Sequence, residues 1–371
     1  MLELAVIGGG PAGLIAAREA ARRGIDVFVF EEHQEIGEPE RCAGLLSISG
    51  LRRLSIPITG KHLQNMVRGA IFHTPTGREY VLDAGRDVAV VVNRKIFDQE
   101  LAREAEKAGA RIFLGTRVKN VLKNGDVVKV LTTKDVHEAL WVIDAEGAGS
   151  AILRKSLGIS PDSSRWIPIT QLTVSGHGMD KRYVHLYFKR YLPHFFAYFV
   201  PINEDLGKIG VSSKIANLRR MAAIFLKEEF PKAKILKKVS HVIYTGKPIK
   251  KLRLSWRIIP VGDAAGHVKA TTGGGVIMGG LISAGIASAI AELLRGGDPV
   301  PHLRGAERAL TELVKIAKFK EFSEKVPLTF YDLVFKIATS QPMKSYLERV
   351  GDMDFQLRSI MGGKRAFPFI T

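Results

Sequence analysis

The chain has 371 residues, 46% of them hydrophobic, and a formal net charge of +18 at pH 7. That much apolar mass can bury a large core shared by two interleaved domains, and it excludes a disordered or low-complexity chain. The single cysteine, Cys42, excludes an internal disulfide, and the positive balance directs attention to anionic partners: nucleic acid, an acidic membrane surface or a phosphorylated substrate.

The chain starts without a basic segment ahead of an apolar one and without a cleavage site, so export is not expected. Leu4 to Ile7 is a short apolar run, as a strand buried on both faces would be. Gly8-Gly9-Gly10-Pro11-Ala12-Gly13 follows, then an alanine- and leucine-rich helix closing at Gly24. Asp26 to Phe30 predicts a second strand that ends at Glu31. Strand, glycine turn, helix, strand and acid in this order point to a dinucleotide site. Gly8 permits the tight turn, Gly10 lets the backbone approach a pyrophosphate, and Gly13 lets helix and strand pack closely. The helix N-terminus, Ala12 included, offers N–H groups to phosphate. Glu31 is placed to accept from ribose hydroxyls, which disfavours a 2′-phosphate there.

Arg41-Cys42-Ala43-Gly44-Leu45 then makes a short loop. Met66 to Leu82 reads as a hairpin turning at Pro75-Thr76-Gly77, and Val92 to Asp98 opens a helix with Arg94 near its start. Val118 to Val142 reads as short strands around the turn Asn124-Gly125-Asp126. Val142 to Ser150 runs from a strand into a structural turn at Glu146. Trp166 to Val174, Tyr183 to Arg190 and Phe195 to Val200 alternate as strands do. Phe196, Tyr198 and Val200 are spaced by two and share one strand face, leaving Ala197 and Phe199 on the other. Ile215 to Lys227 predicts a basic amphipathic helix. Arg257 to Gly266 is an apolar strand running into Gly262-Asp263, with Gly273-Gly274-Gly275 just ahead of the next helix. The uncharged run from Ala270 to Ala291 is long enough to span a bilayer, but its glycines and the Gly-Asp turn upstream predict a buried helix. From His302 onward the chain reads as helical, with Phe319, Phe322, Phe330, Tyr331, Phe335 and Phe355 forming a core stripe.

The Gly262-Asp263 block resembles the second FAD fingerprint of the glutathione-reductase and hydroxybenzoate-hydroxylase class of flavoproteins. The resemblance implies non-covalent FAD, with Asp263 at the ribityl chain and the backbone of Gly274, Gly275 and Val276 near the flavin ring. It also implies cofactor contacts from Cys42, Ala43, Arg94 and Val118. Glu146 stands where the hydroxylases carry aspartate, and no second complete glycine motif follows, so a separate NADPH domain is not expected. The fold class expected is α/β with an α+β second domain. A Rossmann-type FAD-binding domain (1–65, 87–155 and 250–300) is interleaved with an antiparallel-sheet substrate domain (66–86 and 156–249), and a helical region (301–371) follows.

Three places together resemble the geranylgeranyl reductase family, in particular its archaeal digeranylgeranylglycerophospholipid reductases. They are the Cys42 loop, the Gly-Asp block with its glycine-rich helix, and Pro193 to Pro201, and the likeness runs in order over Met1 to Ala291. The family's pattern at the third place is PxxYxWxFP followed by GxG. This chain keeps both prolines, carries Phe196, Tyr198 and Val200 at the aromatic positions, and has Gly210-Val211-Ser212 in place of GxG. The resemblance implies FAD-dependent reduction of carbon–carbon double bonds in the geranylgeranyl chains of a membrane phospholipid precursor. It implies catalytic roles for Cys42 and Tyr198, a substrate pocket of Phe196, Tyr198, Val200 and Phe355, and C-terminal helices that cover a lipid tunnel. An external donor such as NAD(P)H or ferredoxin would reduce the flavin. The expected location is cytoplasmic and peripheral to an anionic membrane surface, where the positive charge finds its use. Two competing readings are a flavin monooxygenase or halogenase on the same fold, and a flavoprotein acting on structured RNA. The halogenase tryptophan motif is not evident and no RNA-binding module is recognised, so nucleic acid is not expected as a partner, and no metal site is expected.

Overall fold

The structure is a computed structural model, and it describes residues 1–214, 217–250 and 257–357. The chain divides into two compact units: Met1–Glu40, Arg94–Trp166 and Tyr244–Ala317 form unit 1, and the remaining segments form unit 2. In chain order, β1 (Leu2–Ile7), α1 (Pro11–Ala21) and β2 (Val27–Phe30) open unit 1. Unit 2 takes β3 (Leu45–Ser47), α2 (Ile48–Arg53), β4 (Leu63–Val67), β5 (Gly69–His73), β6 (Glu79–Asp83) and β7 (Ala89–Val92). Unit 1 resumes with α3 (Arg94–Lys107), β8 (Arg111–Phe113), β9 (Val118–Asn124), β10 (Val127–Thr132), β11 (Val136–Asp144) and α4 (Ala151–Leu157). Unit 2 then adds β12 (Trp166–Ser175), β13 (Tyr183–Tyr187), β14 (Ala197–Pro201), β15 (Leu206–Ser212), α5 (Leu218–Glu229) and β16 (Lys234–Tyr244). β17 (Ile258–Pro260) and α6 (Val276–Leu294) complete unit 1, α7 (Val300–Ser323) crosses from one unit's residues to the other's, and α8 (Tyr331–Thr339) and α9 (Met343–Val350) belong to unit 2.

Unit 1 is a twisted sheet of order β8-β2-β1-β11-β10-β9, with β17 alongside β11. β1 pairs in parallel with β2 and β11, whereas β9, β10 and β11 form antiparallel ladders. The turn at Asn124 to Asp126 lies where the sequence predicts it, with Gly125 at φ +61. β1 is central and nearly all buried, which explains its unbroken apolar run. The uncharged run reads as predicted: α6 is long and apolar enough to cross a membrane, yet it is two-thirds buried. Small residues let its neighbours approach, since a Cβ at Gly285 would stand 2.9 Å from the His302 carbonyl oxygen and 3.0 Å from Ala306 Cβ of α7.

Unit 2 is built on a sheet of order β16-β12-β15-β14-β13-β5-β6 and a small sheet β3-β7-β4. In the large sheet β12–β15, β15–β14, β14–β13 and β5–β6 pair antiparallel, but β13 runs parallel to β5, a departure from the wholly antiparallel sheet expected. Several boundaries also differ from those drawn on sequence. Residues 41–65 belong to unit 2 because β3 and β4 pair with β7, so Met66 lies inside β4 and the hairpin is β5–β6, turning at Gly77 with φ +85. The region from 301 is not a separate body: α7 up to Ala317 packs with unit 1 and the helices after it with unit 2. α5 begins at Leu218 behind an Asn217 cap, and Ile215 lies outside the described residues. The core stripe holds only in part. Phe335 stacks on Phe72 at 4.8 Å, but Phe319, Phe322 and Phe330 are 45%, 66% and 53% exposed. Spacing places aromatics on one face of a helix without saying which face meets the sheet.

Candidate functional site

The nucleotide side is built in unit 1. Gly8 has φ +98, and a Cβ there would stand 2.4 Å from the Ala145 carbonyl oxygen. A Cβ at Gly13 would stand 2.1 Å from the Gly8 carbonyl oxygen. The protein's own backbone therefore demands glycine at both positions. Gly10 differs: a Cβ there would meet nothing within 4 Å, so the space before it is open. Gly10 is also the N-cap of α1, where no side chain caps the helix and Pro11 takes the first turn. Helix geometry leaves the first-turn amides of Ala12 and Gly13 without intrahelical acceptors at that opening.

Glu31 directly follows β2 and is buried. Its carboxylate accepts from Gly9 N at 2.6 Å, from His33 N at 2.8 Å and from His33 Nδ1 at 2.6 Å. It thus ties the glycine loop to the strand end, a structural task the sequence reading did not assign to it.

The second motif reaches the same place from the far end of the unit. Gly262 has φ +62, and a Cβ there would stand 2.9 Å from Ala12 Cβ, so glycine lets the Gly-Asp turn meet α1. The neighbouring Asp263 carboxylate has no hydrogen-bond partner among the described residues, and Gly275 faces it, with its would-be Cβ 3.0 Å from Asp263 Oδ1. Burial raises the Asp263 pKa above the ordinary carboxylate range, and the Arg94 guanidinium opposes that rise. Gly275 is the N-cap of α6 and supplies no side-chain cap, so Val276 begins a long helix whose positive end is bare. Gly274 packs on buried Lys269, its would-be Cβ 3.0 Å from Lys269 Cε. Lys269 went unnoticed on sequence, although a lysine beside an uncharged glycine-rich segment is a usable signal.

Arg94 opens α3 and forks onto Asp98, with Nε to Oδ1 at 3.0 Å and Nη2 to Oδ2 at 2.9 Å. Burial raises the Asp98 pKa, and Arg94 offsets that rise only in part. Arg94 therefore acts on two carboxylates, Asp98 by direct bonds and Asp263 through its charge. The Val118 side chain is sunk in the sheet core with Phe30, Val121 and Val128, which leaves only its main chain for a ligand. The Glu146 carboxylate accepts from Ile152 N at 2.9 Å and Leu153 N at 3.0 Å, so it caps α4. Asp144 is fully buried and accepts from Glu146 N at 3.1 Å, while its Oδ2 lacks a partner among the described residues. Burial, reinforced by the Glu146 charge, pushes the Asp144 pKa well up.

These features fit FAD. An open, uncapped helix end at Gly10 suits a pyrophosphate, and an unpartnered carboxylate at Asp263 beside a second uncapped helix suits hydroxyls of a ribityl chain.

A second group of candidate residues lies in unit 2. Ala197 and Phe199 pack with Tyr187, Phe225 and Phe230 beneath α5. Tyr198 and Val200 face the other way, among Val67, Val91, Val184, Ala43 and Leu45. Phe196, just ahead of β14, packs with Phe195 and Ile167, and Tyr198 reaches that group too. The two faces are thus divided as the spacing predicts.

A polar chain crosses this apolar face. The Tyr198 hydroxyl donates to Gln171 Oε1 at 3.1 Å, and Gln171 Nε2 donates to the Cys42 carbonyl at 3.3 Å. Lys208 Nζ donates to the same carbonyl at 3.3 Å. The Cys42 sulfur accepts from Gly44 N at 3.4 Å. The Cys42 loop is therefore held by its main chain rather than by its thiol. Burial, with Cys42 adding, pushes the Tyr198 phenol up, so Tyr198 stays neutral. Gln171 and Lys208 are both buried, and sequence reasoning missed both. Their signal is a long polar side chain at a buried strand position. Phe355 carries the Arg53 guanidinium over its ring at 5.0 Å, while Met353 packs in the cluster that holds Ala43, Tyr198 and Val200.

Comparison with known proteins follows the same lines. The family profile described as an FAD binding domain matches residues 1–205. The digeranylgeranylglycerophospholipid reductase of Methanocella arvoryzae is 30% identical over 318 residues, covering 80% of this chain and 79% of that protein. A geranylgeranyl bacteriochlorophyll reductase-like protein from Thermoplasma acidophilum has the same fold, with a TM-score of 0.84 at 23% identity over 99% of this chain and 96% of the other. The p-nitrophenol 4-monooxygenase of Pseudomonas putida shares the fold at a TM-score of 0.73 and 16% identity, over 94% of this chain and 97% of its own.

Proposed function

The chain belongs to the digeranylgeranylglycerophospholipid reductase family, and on that premise we propose that it saturates carbon–carbon double bonds in the geranylgeranyl chains of a membrane phospholipid precursor. FAD, once bound and reduced by an external donor, supplies the electrons for that reduction. The observation that carries the reading is the face of β14: Tyr198 and Val200 line an apolar surface joined by Gln171 and Lys208 to the Cys42 loop.

An isolated trisubstituted alkene is a poor acceptor, so the protein must work by holding it still and keeping water away. The apolar side chains of Phe196, Tyr198 and Val200 suit an isoprenoid chain in both respects. The phenol of Tyr198 donates to Gln171 Oε1, which helps to hold its ring in place. On the nucleotide side, Ala12 and Gly13 would hold the phosphates, Asp263 would accept from the ribityl hydroxyls, and the backbone N–H groups of Gly274, Gly275 and Val276 would serve the flavin ring. The Arg94 charge opposes the rise that burial imposes on the Asp263 pKa. The phospholipid substrate and the net charge of +18 support a place at the periphery of an anionic membrane.

The test is anaerobic. Protein reduced with dithionite is mixed with a geranylgeranylated phospholipid, and the lipid is weighed by mass spectrometry. The expected product gains two mass units for each double bond saturated. Reoxidation of the flavin only on admission of oxygen, with the lipid unchanged, would favour the monooxygenase reading instead.

A further inference from the structure

The outer face of α8 carries an apolar stripe that no described element covers. Phe330, Leu333, Val334 and Ile337 follow the i, i+3, i+4, i+7 spacing of one helix face, and they are 53%, 53%, 52% and 51% exposed. The opposite face is already used: Phe335 stacks on Phe72 and packs against Phe188, and Asp332 accepts from Thr76 Oγ1 at 2.6 Å. The helix is thus anchored inward by one side and presents bare hydrocarbon on the other. The end of α7, eight residues upstream, exposes Phe319 and Phe322 as well.

The charges around this stripe are arranged asymmetrically. Lys318, Lys325 and Lys336 have no ion-pair partner among the described residues. The nearby acids are engaged: Glu324 pairs with Lys320 at 3.5 Å, and Asp332 is turned inward to Thr76. Free ammonium groups on flexible stems beside exposed apolar side chains match the boundary of an anionic bilayer, where the stems lie along the hydrocarbon and the charges meet phosphate. A second copy of this basic chain would bring like charges together instead.

We propose that the outward face of α8 docks the protein on an anionic phospholipid membrane. Phe330, Leu333, Val334 and Ile337 enter the acyl boundary, and Lys325 and Lys336 contact the headgroups. The choice of partner rests on the lipid-substrate reading, and the docking itself rests on exposure and charge.

The full-length holoprotein is sedimented with sucrose-loaded vesicles of phosphatidylcholine containing phosphatidylglycerol, and with phosphatidylcholine alone. Wild-type protein should pellet with the anionic vesicles, less so as salt rises. The variant L333S/V334S/I337S should lose about tenfold or more in partitioning while keeping its flavin spectrum. K325Q/K336Q should weaken binding and flatten its salt dependence. The proposal is overturned if the apolar variant pellets as wild type does, if wild type ignores anionic vesicles, or if the variant instead converts a dimer to a monomer. Turnover of detergent-dispersed lipid, read in parallel, tests the reductase reading alone, so the two failures are told apart.

Discussion

The Tyr198 ring occupies the space where Gly210 of the adjacent strand lacks a side chain: a Cβ at Gly210 would stand 2.1 Å from Tyr198 Cζ and 2.2 Å from Cε1. The two residues are direct register partners. Gly207, the register partner of Pro201, makes room for the Phe199 ring in the same way, its would-be Cβ 2.2 Å from Phe199 Cε2. Glycine on β15 thus seats aromatic rings of β14 on both faces of the sheet. We expect Gly210→Ala to push the Tyr198 ring aside and break its bond to Gln171, at a cost of about 1–3 kcal/mol. Thermal unfolding and turnover should both fall while FAD content holds. Unchanged turnover would mean that the ring's place does not matter to the reaction.

Asp263 offers a second test. On the proposed role of Asp263 at the ribityl chain, Asp263→Ala should remove a charge-assisted contact worth about 1.5–3 kcal/mol, a loss of roughly tenfold or more in FAD affinity. The apoprotein should respond in the opposite sense. Burial raises the folded pKa of Asp263, so its ionised form opposes folding as pH rises above the unfolded carboxylate value near ~4. Asp263→Asn should therefore stabilise the apoprotein at neutral pH, and the gain should vanish in acid, where both states are protonated. Flavin titration and pH-dependent unfolding of the apoprotein measure the two arms. FAD affinity equal to wild type in Asp263→Ala would remove this residue from the site.

Glu146 separates a structural role from a nucleotide role. Its carboxylate takes the Ile152 and Leu153 amides at the start of α4, where Ser150 gives no side-chain cap. Glu146→Ala should cost about 0.5–2 kcal/mol, as the loss of a helix cap does. FAD retention and dependence on the electron donor should not change. A selective defect with NADH or NADPH, at wild-type stability, would contradict the capping role.

The Cys42 loop yields to a pair of variants. Gln171 and Lys208 grip the Cys42 carbonyl, which survives any side-chain change at Cys42. Cys42→Ser should therefore leave the loop in place, and any change in rate or products then reports on the sulfur itself. Lys208→Met removes one grip, a charge-assisted bond of about 1.5–3 kcal/mol. Because an apolar side chain of similar length replaces a buried ammonium, stability should hold or rise. Turnover should fall with FAD still bound. The clamp is wrong if Lys208→Met turns over normally.

The pattern of what the sequence disclosed has a physical basis. Gly8 to Glu31 was legible because strand, turn, helix and acid are consecutive, and each glycine answers to a neighbour in the same short stretch. The two faces of Phe196 to Val200 were legible because side chains alternate along any strand. Gln171, Lys208 and Cys42 were not, since they come from three separate segments that only the strand order β12-β15-β14 and the loop before β3 bring together. The assignment of residues 41–65 failed for the same reason, because the pairing of β3 and β4 with β7 leaves no local mark. The aromatic residues of α7 and α8 misled because periodicity reveals a face but not its neighbour.

The sharpest test returns to β14. Tyr198 and Phe199 are consecutive, yet they belong to different clusters, Phe199 beneath α5 and Tyr198 with Ala43 and Val200. Phe199 is fully buried against Phe230 at 5.2 Å and His177 at 4.7 Å. Phe199→Ala should open a cavity in that core and cost about 3–5 kcal/mol. Tyr198→Ala removes a ring from the face assigned to the isoprenoid chain, together with one hydrogen bond to Gln171 worth about 0.5–1.5 kcal/mol. It should keep most of the thermal stability and all of the FAD, and lose reduction of long isoprenoid chains. Tyr198→Phe keeps the ring and drops the hydroxyl, so it should retain most of the activity if the ring's shape is what holds the chain. Unfolding curves, flavin content and lipid mass spectra on the three variants decide the matter. The pocket fails if Tyr198→Ala unfolds the protein while Phe199→Ala selectively blocks lipid reduction.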